Sequence, residues 1–228
     1  MRRMVILSMA NNIVAYVGQD SFDIILYMSR ILQKLGKRVL IVDNSETGAL
    51  SESIPQLKGI DVSSSLLTYR RVDFTTKVID EKITDNYDEV LIDFGCNEPG
   101  IILSYISRVV YITTMFDFVI KKVSGVNFYD GLEASRSLLV REALEINIAT
   151  EDIVEKLDKG VLAKDVSVLY RDDRDYENSL ICHCNKIFKF TKISTMLKTY
   201  LIGEIRILCP DVTEKHIKAA YTKAKKGE

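Results

Sequence analysis

The chain has 228 residues, of which 47% are hydrophobic and 28% are charged. This is the composition of an ordinary globular protein, and it argues against intrinsic disorder. The 31 basic and 32 acidic residues give a formal net charge of -1, which excludes a globally basic nucleic-acid coat but not a local basic patch. A chain of this length can bury a core without a disulfide or metal staple.

The cysteines and the apolar segments bear on the compartment. Four cysteines in a chain of this length do not form the disulfide framework of a small secreted protein, and we interpret them as reduced. The N-terminal apolar run is too short for a signal peptide with a cleavage site, and the longest apolar stretch, 101–120, is interrupted by Arg108 and Asp117. We predict a cytoplasmic protein without a transmembrane segment, and a peripheral position at the membrane through partners stays open.

The first elements predict a βαβ unit. Residues 12–18 (NIVAYVG) form a β-rich apolar run that ends in glycine, which favours a central strand. The apolar residues that follow recur at helical spacing, and they predict a helix that is capped by Asp20 or Ser21 and runs to about Leu35. Residues 38–42 (RVLIV) predict a second strand that closes on Asp43. The two strands should therefore be parallel, with a right-handed crossover.

Strand and helix patterns alternate through the rest of the chain. The runs 89–94 (EVLIDF) and 108–113 (RVVYIT) are almost continuously apolar, which is typical of strands buried on both faces. We further predict a loop with a short helix over 48–58, one or two short strands in 59–71, helices over 74–83 and 116–126, weaker strands over 137–141 and 166–169, and helices over 153–157, 193–202 and 213–225. The predicted fold class is α/β, with a doubly wound, mostly parallel sheet flanked by helices in a single domain, 1–228.

Three segments resemble the MinD/ParA family of P-loop ATPases, which belongs to the SIMIBI class. GKRVLIVDN (36–44) is similar to the family's second strand with its strand-end aspartate. NYDEVLIDFG (86–95) looks like the Walker B strand, with Gly95 two positions after Asp93, and RVVYITTMFDFVIKKV (108–123) is similar to the strand and helix that come next. The resemblance covers at least residues 12–125 and implies a P-loop NTPase-like fold.

The Walker A loop departs from the family pattern. That loop needs glycines, so that backbone N–H groups can surround the phosphates, and a lysine that reaches the β and γ phosphates. This chain has VGQDSFDII (17–25), in which Gly18 is the one glycine, no lysine occurs and Ser21 stands close to the lysine's position. Asp20 and Asp23 can satisfy the free N–H groups of the helix themselves and would repel a phosphate. The loop predicts a degenerate site with no catalytic residue.

Asp43 and Asp93 remain at positions that resemble the family's water-orienting and magnesium-associated carboxylates. One interpretation is a vestigial nucleotide site, with residual ATP and magnesium binding left open, formed by Gly18, Ser21, Asp43, Asp93 and Gly95. The other, which we favour without the lysine, is that both aspartates end buried strands and cap the turns that follow. We expect no cofactor. Gln19, near the position of the family's dimer-bridging lysine, also weakens the prediction of an ATP-sandwich dimer.

Two further motifs have simpler interpretations. Cys182, His183 and Cys184 can contribute to a zinc site, but no second pair of ligands has a suitable spacing. Alternation along a strand would place both sulfurs on one face, and we favour buried packing without a metal. Segment 170–177 mixes charges of both signs, and we predict a solvated loop or a strand-end ion-pair network there. The family resemblance leaves an interface at this segment open.

The C-terminal segment, about 213–226, predicts a basic helix. Its candidate interaction residues are Lys215, Lys218, Lys223, Lys225 and Lys226. Its apolar side is mostly alanine with Ile217 and Tyr221, which is too little apolar area for firm membrane insertion. A solvated last helix is the simpler interpretation, and association with anionic lipid, nucleic acid or an acidic protein face stays open.

Three functional hypotheses follow. The first is a MinD/ParA-like pseudo-ATPase that acts as an interaction scaffold or adaptor in the positioning or assembly of a cellular machine; family analogy points to a bacterial pilus or secretion apparatus. Its partner would be a protein of a membrane-associated or positioning assembly, a homodimer is left open, and nucleic acid is disfavoured. The second hypothesis is an active ATPase with an atypical phosphate loop, in partitioning or localisation. The third is a nucleic-acid-binding module that uses the basic C-terminal helix.

Overall fold

A computed structural model describes residues 12–55, 66–76, 84–97, 106–127, 133–145 and 149–227. Eight strands form one sheet: β1 (Asn12–Gly18), β2 (Val39–Asp43), β3 (Leu67–Tyr69), β4 (Val72–Thr75), β5 (Glu89–Gly95), β6 (Arg108–Thr113), β7 (Ser135–Ala143) and β8 (Val166–Tyr170). Their order is β3-β4-β2-β5-β1-β6-β7-β8. Every neighbouring pair is parallel except β3 and β4, which form an antiparallel hairpin. The predicted mostly parallel α/β sheet is confirmed.

Seven described helices accompany the sheet. They are α1 (Phe22–Lys34), α2 (Ala49–Glu52), α3 (Asp117–Ser124), α4 (Thr150–Leu157), α5 (Asp173–Asn185), α6 (Thr195–Leu208) and α7 (Glu214–Ala224), and a 3₁₀ turn, Ala163–Asp165, precedes β8. No helix in the described ranges is both long enough and apolar enough to cross a membrane.

Each face of the sheet has its own hydrophobic core. Side chains alternate along β1, so that Val14 and Tyr16 join one cluster with α1, α6 and α7, whereas Ile13, Ala15 and Val17 join the other with α3 and α4. All of these side chains are almost fully buried. Burial on both faces explains the near-continuous apolar runs of the central strands.

One predicted helix is wrong where the structure describes it. The helical prediction over 74–83 begins inside β4, and residues 77–83 lie outside the described residues. Phe74 is buried, with its ring centroid 6.1 Å from that of Phe188. Pairing with β2 and β3 therefore determines the local structure, because tertiary contacts override a weak helical pattern.

The charged segment after β8 and the cysteine motif lie on α5. The predicted loop over 170–177 is wrong from Asp173 onward, because Asp172 accepts a hydrogen bond from the Arg174 N–H at 2.9 Å and caps the helix. The prediction that the cysteines lie on a strand is also wrong, because they lie on α5. Positions two apart on a helix point to nearly opposite sides. Cys182 is accordingly buried in the core and Cys184 is exposed.

Other predicted elements agree more closely with the structure. β1 and β6 have the predicted bounds, and α1, α3, α6 and α7 begin within a few residues of them. The N-terminal run (1–11) and part of the short-strand prediction (59–65) lie outside the described residues.

Candidate functional site

The candidate site lies at the carboxyl edge of the sheet, where the parallel strands end. Open α/β sheets bind their ligands outside this edge. β1 ends at Gly18, β2 at Asp43 and β5 at Gly95, and Asp43 lies beside Asp93 in the register of β2 and β5. The structure therefore brings the predicted site residues to one edge, with Ser21 in the connection that leads to α1.

Packing against β6 accounts for the glycine at the end of β1. Gly18 has a φ of +125°, and a Cβ atom there would lie 2.0 Å from the carbonyl oxygen of Ile112. That same oxygen accepts a hydrogen bond from the Gln19 N–H at 3.0 Å. Only residues 19–21 connect β1 to α1, and the first of them is held on the neighbouring strand. This glycine is required whether or not a phosphate binds.

A buried ion pair lies beside the N-terminus of α1. Arg141, from β7, donates from Nη1 and Nη2 to the two carboxylate oxygens of Asp23, at 2.8 and 2.9 Å, and its Nη1 also donates to Ser21 Oγ at 3.1 Å. Asp23 is 2% exposed. Burial alone would lower the pKa of Arg141, but the Asp23 carboxylate outweighs it and raises that pKa. The guanidinium and carboxylate therefore satisfy each other inside the protein.

The predicted capping of α1 by its aspartates is wrong. No side chain caps this terminus, where Ser21 is the N-cap residue. Asp23 is engaged by Arg141, and Asp20 accepts a hydrogen bond from Thr47 Oγ1 at 2.8 Å. Asp20 still places negative charge beside the helix terminus, where an incoming phosphate would meet it, whereas the charge of Asp23 is balanced by Arg141.

Asp43 holds the turn that follows β2. Its Oδ1 accepts from Ser45 Oγ at 2.7 Å and from the Ser45 N–H at 3.3 Å. Its Oδ2 accepts from the Ser51 N–H in α2 at 2.8 Å. Both oxygens therefore have protein partners, as in a strand-end turn cap.

Asp93 is buried and only half satisfied. Its Oδ1 accepts from the Gly95 N–H at 2.9 Å, whereas its buried Oδ2 has no hydrogen-bond partner among the described residues. Burial raises the pKa of Asp93 to about 7, the Gly95 N–H opposes this shift, and the nearby carboxylates of Asp43, Asp20 and Glu46 add to it. Asp93 is thus the titrating group of this edge near neutral pH.

Glu46 joins Asp20, Asp43 and Asp93 in a group that we call the carboxylate cluster, and Lys122 lies beside it. Lys122 Nζ lies 3.0 Å from Glu46 Oε1, and the Cys96 N–H donates to Glu46 Oε2 at 2.9 Å. Burial opposes ionisation of Glu46, but backbone N–H groups and the Lys122 ammonium lower its pKa. Burial raises the pKa of Asp20, and Glu46 and Asp43 add to the shift. One lysine therefore faces four carboxyl groups.

A cavity of about 380 Å³ opens beside the α1 terminus. Its charged lining consists of two arginines and five acidic residues: Arg141, Arg171, Asp20, Asp23, Glu142, Asp172 and Asp175. Tyr170 and Tyr176, both exposed, stand at its rim. An acidic lining of this kind disfavours a polyphosphate by charge repulsion.

Sequence reasoning missed Arg141, Glu46 and Lys122. Arg141 lies at the end of a predicted strand, and a charged residue in that place, facing the switch point of the sheet, is a usable signal. Glu46 and Lys122 come from a loop and from α3, and their contact depends on tertiary structure that no local pattern reveals.

The other candidate residues lie on α5 and in the C-terminal segment. α7 packs through Ile217, Ala220, Tyr221 and Ala224, which are buried in the core of the α1 face. Lys215, Lys218, Lys223 and Lys226 are exposed, and Lys225 is half-buried beside the Tyr221 ring. His183 Nδ1 lies 2.9 Å from Ser53 Oγ. Within the described ranges, no three His, Cys, Asp or Glu side chains are grouped so that they can hold a metal ion.

Comparison with known proteins relates this architecture to one fold. No family model and no curated protein matches the sequence. A ParA family ATPase from Chlorobium tepidum TLS superposes with a TM-score of 0.64 at 13% identity, over 88% of this chain and 100% of that chain. The septum site-determining protein MinD from Pyrococcus horikoshii OT3, complexed with Mg-ADP, gives 0.57 at 12% identity, over 89% and 99%. The MinC:MinD cell division complex of Aquifex aeolicus gives 0.52 at 16%, over 75% and 86%.

These superpositions extend over nearly the whole of the compared ParA and MinD chains. At such low identities they establish the fold and not the activity. The chain has the α/β fold of the compared ParA and MinD proteins, as the sequence predicts.

Proposed function

We propose that this protein is a pseudo-ATPase with the ParA/MinD fold, which serves as an interaction scaffold or adaptor in the positioning or assembly of a cellular machine. The observation that carries the proposal is the buried ion pair at the start of α1, in which Asp23 and Arg141 lie beside Ser21. In a P-loop ATPase, free N–H groups and a lysine at this place bind the phosphates.

Charge and chain length support the same proposal. A connection of three residues held on β6 offers few N–H groups to surround a triphosphate. Asp20 adds a negative charge to this edge beyond Asp43 and Asp93, which resemble carboxylates of the family's active members, and Lys122 is already paired with Glu46. A protein that has this fold but lacks the phosphate site can still act by binding partners through its surface.

The structural neighbours support a protein partner as the target of those surfaces. Their names describe a ParA family ATPase and a MinC:MinD cell division complex. By analogy with them, we propose a protein of a membrane-associated or positioning assembly as the partner. A pilus or secretion apparatus is our proposed setting, and it rests on family analogy alone.

Isothermal titration of the full chain with ATP and Mg²⁺ tests the proposal. We expect no binding tighter than about 1 mM, which corresponds to roughly 4 kcal/mol. A dissociation constant below about 10 µM, or roughly 7 kcal/mol, together with ATP turnover that Asp93→Ala abolishes, would refute it. Lys121→Ala, an exposed lysine on α3 outside the cluster, is the matched control.

One observation favours an active ATPase with an atypical loop as the second candidate. The unpartnered Oδ2 of Asp93 is a free acceptor at the carboxyl edge, and a carboxylate oxygen is a ligand that Mg²⁺ prefers. Among the described residues, Lys122 lies at the carboxyl edge and could supply the lysine, whereas Lys37 precedes β2 at the opposite edge of the sheet; another molecule could supply it as well. Turnover lost in Lys122→Ala but kept in Lys37→Ala would support this candidate.

A further inference from the structure

The outer edge of β8 is an unpaired sheet edge. β8 is the last strand of the sheet, and no described residue pairs with its outer side. Its sequence, VSVLY, contains no charge and no proline. Sheet edges in soluble proteins are normally protected by such residues, by bulges or by covering elements. An uncharged edge is therefore a candidate for pairing with another strand.

The hydrogen-bonding groups of this edge have a definite direction. The Arg171 N–H donates to the Ala143 carbonyl of β7 at 2.9 Å. Because backbone groups alternate along a strand, the N–H and C=O groups of Val166, Val168 and Tyr170 point away from β7. The Tyr170 N–H contacts only Met196 Sδ, at 3.4 Å, which is a weak acceptor. A second strand can replace that contact with a backbone hydrogen bond.

Opposite charges flank β8 in an order that complements itself. Lys164 and Asp165 precede the strand, and Arg171 and Asp172 follow it. An antiparallel pair of β8 strands from two copies, centred on Val168, would place Asp165 opposite Arg171 of the other copy. It would also bring the outward groups of Val166 and Tyr170 together. A shift to the next register towards the C-terminus would instead place Arg171 opposite Ser167 and lose the pair with Asp165.

We propose that this edge binds a second copy of the chain through antiparallel β8–β8 pairing centred on Val168. Cross-strand pairs of opposite charge stabilise a register, and like charges directly opposite destabilise it. The twofold axis would run perpendicular to the joined sheet. Each copy would then present the same surface, as in other isologous dimers.

A stripe on α6 lies beside this edge and adds apolar area. Met196 is 41% exposed and Ile207 is 53% exposed, and both line a groove of about 350 Å³ between α6 and β8. Gly203 lies between them in the helix and leaves open space. In the joined sheet the two α6 helices flank the twofold axis on one face, and this stripe becomes their contact. The dimer needs no nucleotide, and it does not depend on the proposed loss of ATP binding.

Sedimentation equilibrium of the nucleotide-free full chain tests the proposal. We expect a concentration-dependent dimer. Arg171→Asp would place two carboxylates opposite each other at both symmetric positions and weaken association about tenfold. The swap Asp165→Arg with Arg171→Asp restores the opposite pairs, and association should return to within about threefold of the wild type. Lys121→Asp, the same charge change on α3, should leave association unchanged.

Val168→Pro tests the hydrogen bonds of the edge. The Val168 N–H points outward, so proline removes an intermolecular donor while leaving the pairing with β7 intact. We expect a monomer with an unchanged circular dichroism spectrum. A wild type that stays monomeric at all concentrations overturns the proposal. A dimer that withstands both Arg171→Asp and Val168→Pro, or a charge swap that fails to restore association, overturns it as well.

Discussion

Arg141 and Asp93 determine the chemistry of the carboxyl edge in opposite ways. Arg141 is fully engaged, since its guanidinium meets Asp23 through two hydrogen bonds and Ser21 through a third. Asp93 keeps one buried oxygen without a partner in the described part of the chain. Arg141 balances a buried charge at the start of α1, whereas Asp93 leaves a titratable group near it. A separate prediction follows for each of these two residues.

Removing the guanidinium of Arg141 leaves a buried carboxylate without its cation. We expect Arg141→Met to reduce the free energy of unfolding by about 3–5 kcal/mol at neutral pH. The double variant Arg141→Gln with Asp23→Asn, which replaces the ion pair with two amides, should recover part of this loss. Urea denaturation measures all of these values.

Arg136, on the same strand, provides the control. It donates to the Lys159 carbonyl at 2.9 Å and has no carboxylate partner among the described residues. Arg136→Met should cost only about 0.5–1.5 kcal/mol. Equal losses in Arg136→Met and Arg141→Met would contradict a special contribution from the Arg141–Asp23 pair.

Asp93 makes stability depend on pH. Its folded-state pKa, about 7, lies above the unfolded value of about 3.9. The folded state therefore binds more protons between these values, and the contribution of Asp93 to stability falls as the pH rises from about 4 to about 7. Relative to the wild type, Asp93→Asn should gain about 2–4 kcal/mol between about pH 4 and about pH 8.

Urea denaturation across that pH range measures the relative gain. Glu89 also has a pKa raised to about 7 by burial, so part of the wild-type dependence should remain in Asp93→Asn. A stability difference between variant and wild type that does not change with pH would show that Asp93 is ionised in the folded protein at both ends of the range.

Among the strands and helices, the sequence predicts best the elements that are deeply buried. β1 and β6 lie in the middle of the sheet, and their apolar runs contain enough information to give their bounds. The helix prediction fails at β4 because this strand forms a hairpin with β3 and pairs with β2, which lies far from it in the sequence. The sequence does not predict α5 because Asn178 and Cys182 are the only buried residues of this helix, which leaves it almost no apolar periodicity.

The same reasoning explains what could be predicted of the site. Gly18, Asp43, Asp93 and Gly95 follow or end apolar strands, and the carboxyl edge collects them because the strands are parallel. Arg141 belongs to a weaker strand, and its partner Asp23 is 118 residues away. Nothing in the local sequence predicts that this pair forms.

α7 is a structural element as well as a basic surface. Its apolar side is buried against the rest of the fold, and the Phe190 N–H donates to the Lys225 carbonyl at its end. Its apolar residues are therefore not available for membrane insertion in this state. A truncation before residue 213 should destabilise the whole protein, so it does not test binding by the lysines.

Lysine substitution separates the two contributions of α7. Changing Lys215, Lys223 and Lys226 to glutamine should alter the free energy of unfolding by less than about 0.5 kcal/mol each, since all three are exposed. Filter binding to duplex DNA at increasing salt then tests the nucleic-acid hypothesis. Salt-sensitive binding that this variant loses would support that hypothesis; our account expects no difference between variant and wild type.

At the scale of the whole molecule, the near-zero net charge conceals two regions of opposite sign. The carboxylate cluster and the acidic cavity occupy the carboxyl edge of the sheet. Residues 186–227 contain ten lysines and arginines against three acidic residues. The chain as a whole remains at -1. This separation gives the molecule one surface that repels phosphate and another that attracts anions.

A crystal structure of the protein grown with ATP and Mg²⁺ shows directly whether a nucleotide binds at the start of α1. We predict that Arg141 stays on Asp23, and that no phosphate density occupies the space between Gly18, Ser21, Asp43 and Asp93. Triphosphate density at the α1 terminus, with Mg²⁺ bound to Asp93 and the Arg141–Asp23 pair opened, would contradict the account.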